Sequence, residues 1–284
     1  MRNISLTAGM RQNLYSLQST AQLMDQTAGR LSSGKKVETA LDDPINYFAA
    51  EGHRQRASDL TARKDEMGEA VQTVKAGNIG IESLVDLVAS AKSLVNSALS
   101  ADSSADIKSL ESQYNILMTQ IDELALDSGY KGINLLDGTD DELKVSFDEK
   151  GDASVTLTGF DASHEGLSLT TITEGSWVDG GTAGAVDAKG DKSNLNEALD
   201  RLDSARSTLR DESKKLANNL STITIRQDFT SNMIRTLEDG ADNLTLADMN
   251  EEGANMLMLQ TRQGLGTSSL SMASQAAQSV LRLF

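Results

Sequence analysis

The sequence predicts a mainly α protein in which both chain ends form long antiparallel helices in a coiled-coil-like bundle, with a small β-rich insertion between them. Two heptad seams carry that expectation. Met10, Leu14, Leu17, Ala21, Met24, Ala28 and Leu31 recur at alternating gaps of four and three, the spacing that keeps one stripe of a helix facing a partner. At the other end Met256, Leu259, Gln263, Gly266, Leu270, Ala273, Ala277, Val280 and Phe284 follow the same alternation. The composition agrees, because aromatics are 4% of the 284 residues and there is one proline. A core must then be filled by Leu, Ile, Val, Met and Ala, as helical bundles are.

Taken in order, the first helix gives way to a connector over residues 32–43. Gly34 there suits a helix C-terminus, and Asp42, Asp43 and Pro44 suit an N-cap followed by a first-turn proline. No further ligand lies near the Asp pair, so capping is expected of it and not metal binding. From Ile45 to about Leu99 a second helix carries Leu60, Met67, Val71, Val74, Ile81, Leu84, Val88, Ala91 and Val95. Gly68, Gly77 and Gly80 interrupt it, which points to close helix contact or a bend, since each interior glycine costs roughly 0.5 to 1 kcal/mol against alanine. A third helix follows with Ile107, Leu110, Tyr114, Leu117, Ile121 and Leu124, ending near 127–129.

Between 130 and 191 the helical period disappears. Residues 143–147, 154–157 and 167–172 alternate as strands do, and 175–190, rich in Gly, Ala and Asp around Trp177, reads as an exposed loop. Helical pattern resumes with Leu195, Leu199, Leu202, Leu209, Leu216, Leu220, Ile223, Ile234 and Leu237, breaks at 239–243, and leads into the terminal helix.

The net charge of −16 is uneven. The ends are mildly basic, whereas residues 137–191 hold thirteen acids against Lys144, Lys150 and Lys189, so that stretch is expected to face water and to be dispensable for packing. The acidic balance argues against nucleic-acid binding. No run of about 18 apolar residues is present to span a membrane, and the first ten residues lack a signal peptide's apolar region. Without cysteine there is neither a disulfide nor a thiolate site. His53 and His164 are the only histidines, and Ser168 stands where a zincin motif needs its second one. Gly184–Ser193 and Gly34–Lys36 both fail the phosphate-loop spacing. No catalytic, cofactor or metal residues are expected, and the heptads remain as the functional signal.

Four segments resemble bacterial flagellin: SLTAGMRQNLYSLQST (5–20), GRLSSGKKVETALDDPINYFAA (29–50), YKGINLLDG (130–138) and LADMNEEGANMLMLQTRQGLGTSSLSMASQAAQSVLRLF (246–284). The resemblance implies an extracellular filament subunit with a short outer region, exported without a cleaved signal peptide. Its implied partners are other copies of itself, the flagellar export apparatus, a flagellin chaperone, and the filament cap and hook-junction proteins. The implied domains are 1–43 and 241–284 as the halves of an inner coiled coil, 44–138 and 192–240 as a middle helical domain, and 139–191 as the exposed segment. A hook-filament junction protein is the alternative; a chemotaxis-type coiled coil is disfavoured by the β-like middle, and an enzyme by the missing nucleophile and base. One departure stands out. Many flagellins carry an Arg- and Glu-containing motif on the second helix that an animal innate immune receptor reads, and residues 88–96 correspond to it here, with Ser90, Lys92, Ser93 and Leu94. Ser90 and Ser93 replace the arginine and the glutamate.

Overall fold

A computed structural model describes residues 8–138, 142–178 and 193–282. The elements are α1 (Ala8–Ser33), α2 (Pro44–Ser100), α3 (Ser104–Asp127), β1 (Glu142–Ser146), β2 (Ser154–Thr158), α4 (Ser193–Thr245) and α5 (Met249–Arg282). The chain packs as two compact units, one of Met1–Ala57 with Arg235–Phe284, the other of Ser58–Ile234. Their limits fall inside α2 and α4, whereas the sequence pattern changes at 43/44 and 240/241. Caps mark where a helix starts; the partner that buries each turn decides which unit the turn joins.

In the unit 58–234 the expected seams close on one another. Met67, Val74, Ile81, Leu84, Val88, Ala91 and Val95 of α2 are buried with Leu195, Leu202, Leu209, Leu216 and Ile223 of α4. The interior glycines keep α2 unbroken and mark close approach: a Cβ on Gly80 would lie 2.3 Å from Ser128 Oγ and 2.7 Å from Leu136 Cδ1. On α3 the buried line is Glu111, Tyr114, Met118, Ile121 and Ala125, with Ile107, Leu110, Leu117 and Leu124 flanking it half-buried.

Three expectations for the rest of the chain are corrected. The segment 139–191 is not simply a solvated surface, because Leu143, Val145, Leu157, Ala162, Leu167, Leu169 and Trp177 join the core. Strands β1 and β2 form an antiparallel hairpin, Leu143 opposite Leu157 and Val145 opposite Val155. Alternation let one face go inward while Glu142, Lys144, Ser154, Thr156 and Thr158 stayed on the other. Residues 167–172 are not a third strand: the Leu167 N–H donates to Ser163 O and the Leu169 N–H to His164 O, with Ser168 at φ 58° between them. This turn also buries alternate residues, so the apolar pattern could not tell the two apart. A row of polar side chains on α3 holds the segment down. The Asp122 carboxylate accepts from His164 N–H and lies 2.7 Å from His164 Nδ1. Asn115 bonds both backbone groups of Ile172. Glu111, 1% exposed, accepts the N–H groups of Gly175 and Trp177. The Trp177 ring meets Tyr114 edge-on at 5.3 Å, so it is an anchor within the core and not a loop residue. Finally, 239–243 does not break α4, which runs on to Thr245. Ala241 is fully buried and Thr245 donates its hydroxyl to Ala241 O, so tertiary packing overrides the weak helix propensity of Asp-Gly-Ala-Asp-Asn.

Candidate functional site: the terminal helix pair

Helices α1 and α5 pack along each other. Arg30 meets Glu252, Leu17 meets Gly266 and Asn13 meets Ser269, so α1 numbers fall as α5 numbers rise and the pair is antiparallel. At about 1.5 Å per residue the 26 residues of α1 span about 39 Å.

On α5 the seam lies where the heptads put it. Leu259 is buried, and Met256, Gln263, Gly266, Leu270 and Ala273 are half-buried. Ala277 and Val280 lie on the helix, but their side chains, like Phe284, fall outside the described residues. On α1 only one of the two columns is as expected. Met10 is buried and Leu17, Met24 and Leu31 are half-buried, but the alternate positions belong to Asn13, Thr20 and Thr27. Thr20 is 2% and Thr27 7% exposed, whereas Leu14 is 39% exposed, Ala21 half-buried and Ala28 exposed. At every second step the seam of α1 runs one residue earlier than the apolar spacing predicts. Counting apolar residues favours Leu14 over Asn13, and a gap of three or of four serves equally well from Met10. The missed signal was that 13, 20, 27 and 34 are also heptad-spaced and end on the C-capping Gly34.

Local chemistry explains how the polar column is tolerated. Asn13 donates from Nδ2 to Ser269 Oγ at 3.2 Å, and Thr20 turns its hydroxyl to Ser16 O at 2.8 Å, leaving its methyl for the seam. Leu17 lies so near α5 that a Cβ on Gly266 would come within 2.7 Å of it. Near the helix ends Glu252, a nearly buried carboxylate, takes Arg30 Nη1 at 2.9 Å.

Beyond this contact the chain doubles into a clamp. Gly34 ends α1 at φ 70°, Lys36 and Val37 donate backbone N–H groups to Thr245 O, and the Ala247 N–H donates to Gly34 O. Arg54 reaches Thr245 Oγ1 at 2.9 Å. Asp42 does cap the connector: backbone N–H groups of Thr39 and Glu38, and then the Thr39 hydroxyl, hold its carboxyl below the usual range. Asp43 caps α2 by accepting from Ile45 and Asn46.

Much apolar surface around the pair stays uncovered. Tyr15, Leu257, Met258, Leu265 and Met272 are 60–68% exposed, and Leu41, Ile45 and Phe48 beside the clamp are 95%, 82% and 64% exposed. An apolar surface of this extent belongs to an interface. No group of three metal-ligating side chains occurs among the described residues.

The stretch 88–96 lies on α2 within the other unit. Val88, Ala91 and Val95 face the core; Ser90 and Ser93 are exposed and Leu94 half-buried, beside Gln113, Ile116 and Gln120 of α3. Lys92 Nζ is held by Asp203 at 2.6 Å.

Sequence comparisons match two profiles, the bacterial flagellin N-terminal helical region over residues 4–141 and the bacterial flagellin C-terminal helical region over 193–284. The chain is 26% identical to flagellin FljM of Caulobacter vibrioides, covering 100% of this chain and 99% of that one. It is also 26% identical to a flagellin of Brucella melitensis over 95% of each. A crystal structure of Bacillus cereus flagellin aligns with TM-score 0.44 and 17% identity over 58% of this chain and 88% of that one.

Proposed function

The chain belongs to the bacterial flagellin family and is a structural subunit of the flagellar filament; on that premise we propose that α1 and α5 fold and pair on assembly to line the tube. The observation that carries this is the half-finished terminal pair, whose inner seam is occupied while Leu265, Met258 and Met272 stay open to solvent. A surface of that kind is completed when neighbouring copies cover it, so order and polymerisation arrive together. Residues 1–43 and 241–284 then form the inner layer and 44–138 and 192–240 the middle layer, which carries the short segment 139–191.

The subunit reaches the tip through the flagellar export apparatus, escorted by a chaperone and without a cleaved signal peptide, and is placed under the filament cap on a base of hook-junction proteins. None of the described helices is long and apolar enough to cross a membrane, in keeping with passage through a channel. The matched relatives are flagellins by name, and neither is named a hook-filament junction protein. Serines at 90 and 93 also imply weak reading by the animal receptor for flagellin, since a hydroxyl replaces a planar five-donor guanidinium. Electron microscopy of the purified chain under polymerising conditions tests the main reading. Long filaments are expected; short caps or rings would overturn it.

A further inference from the structure

We propose that the polar column Asn13, Thr20 and Thr27 is a partner-selecting device, which makes α1 pair with α5 and refuse a second copy of α1. The column lies in the seam, with Thr20 and Thr27 buried and Asn13 half-buried, and recurs every seven residues, so it is a systematic feature of the contact surface. Register does not require it. The backbone clamp at 34–37 and 245–247 already fixes which turns of α1 and α5 meet, and the Leu17–Gly266 approach marks the register again.

What the column does change is the comparison between partners. In a pair of α1 with α5 each polar seam position is counted once, facing a helix that brings Met256, Leu259 and Leu270 of its own. In a pair of two α1 helices the same position is counted twice, because both sides carry it. Burying a leucine side chain strengthens a helix pair by the apolar area it takes from water, so three leucines in the column would strengthen the α1–α5 pair by three side chains and an α1–α1 pair by six. The polar choice therefore penalises self-pairing twice over, and specificity is that difference in affinity. The α5 helix offers α1 two further things: Ser269 to accept from Asn13, and Gly266 to admit Leu17. No glycine lies on the seam of α1 between Met10 and Leu31.

The inference rests on the filament reading only for its consequence, that many copies of α1 meet while unpaired at a growing end. Its test is made on the free full-length chain in low salt, before any seed is added. Asn13→Leu/Thr20→Leu/Thr27→Leu is compared with the natural chain and with Gln12→Leu/Ser19→Leu/Gln26→Leu, which adds the same side chains on an exposed column of α1. Sedimentation should show the seam variant at about twice the monomer mass or more, as a symmetric pair or larger oligomer, with the other two monomeric. The chain has no cysteine, so Met24→Cys added to each reports α1–α1 contact as an intermolecular disulfide, expected in the seam variant alone. A monomeric seam variant without the cross-link, or equal association of the exposed-column control, would overturn the proposal. Failure of the natural chain to polymerise later would count against the filament reading and not against this one.

Discussion

The unit 58–234 encloses a core of large side chains while leaving Ile79, Ile116, Leu126, Ile225 and Phe229 on its surface, whereas the terminal helix pair leaves most of its large side chains uncovered. Tyr114, Met67, Ile81, Leu84, Met118, Leu202 and Leu209 are all below 2% exposed in the first. In the second, Leu259 and Met10 are the buried apolar members of a seam whose other buried positions are Thr20 and Thr27, and Leu265 borders it at 68%. Both are built from the same three-four alternation, so the difference lies in the number of partners. Helix α2 meets α3, α4 and the hairpin segment, and is enclosed; α1 and α5 have each other. One unit completes its core within the chain, and the other, on the function proposed above, is finished by copies of the chain.

The sharpest way to break that contrast is to damage each side separately. Leu270→Asp places a carboxylate in the α1–α5 seam, and an uncompensated buried charge costs several kcal/mol in every copy. Filaments should be lost while the thermal melting of 58–234 is unchanged; normal filaments by electron microscopy would mean that Leu270 does not lie inside. Trp177→Ala does the reverse. It removes a ring packed on Tyr114, a truncation that costs about 3 to 5 kcal/mol, so the main melting transition should drop by many degrees in calorimetry. If Trp177→Ala melts as the natural chain does, the segment 163–177 is not part of the core.

Those two outcomes also mark how far the fold could be read from sequence. The seams of α2 and α4 were legible because each is enclosed and every large apolar residue on its stripe goes inward. Residues such as Met67, Ile81, Leu202 and Leu209 leave no choice of phase. On α1 phase was ambiguous, since Asn13 and Leu14 both continue a heptad from Met10, and apolarity chose the residue that stays exposed. Acidic composition misled at 137–191 for a related reason. Net charge counts exposed acids such as Asp137, Asp152, Asp161 and Glu165 outside the strands, and says nothing of Val145 and Leu157 within them. The clamp at 34–37 and 245–247 is made of backbone hydrogen bonds, which leave no side-chain signature.

The surfaces differ as well, and the stretch 88–96, proposed to stand where other flagellins carry the receptor motif, belongs to the self-contained unit. Restoring Ser90→Arg/Ser93→Glu changes two exposed side chains and leaves the Lys92–Asp203 pair alone. A guanidinium hot spot is worth about 2 kcal/mol, roughly 30-fold in affinity. Receptor activation by monomers should rise by that order, with filament formation unaffected. Equal, strong activation by the natural chain and a motif-bearing flagellin would defeat the idea.

Alkaline pH separates the two regions by titration. Burial pushes the Tyr114 hydroxyl up to about 12, above the value near 10 of an unfolded tyrosine. The folded state thus keeps a proton that the unfolded state gives up, and stability falls as pH rises through that window. The slope is about 1.4 kcal/mol per pH unit between about pH 10 and 12, with no effect below. Denaturant unfolding should show the loss, and Tyr114→Phe should flatten it; an unchanged slope in that variant would assign the loss to other groups.

The smallest effect expected is none, and it defines where the enclosed unit stops. Charge and turn content in the sequence suggest that 140–188 is dispensable, but the packing of Val145, Leu157, Leu169 and Trp177 restricts that to residues 179–192. Two fastenings fix the ends of this stretch: Trp177 is held through its backbone N–H by Glu111, and Asn194 Nδ2 donates to Ser176 O at 3.1 Å. A short linker can join two points held that near each other, and loop length alters closure entropy only logarithmically, by about 0.6 kcal/mol per doubling. Replacing 179–192 by a short Gly-Ser linker should therefore leave both melting and filament length as they are. Replacing 148–189 should collapse the melting transition, because it removes Trp177 and β2 from the core. If the short replacement alone stops polymerisation, residues 179–192 contribute to contacts between copies, and completion by neighbours extends beyond the terminal helices.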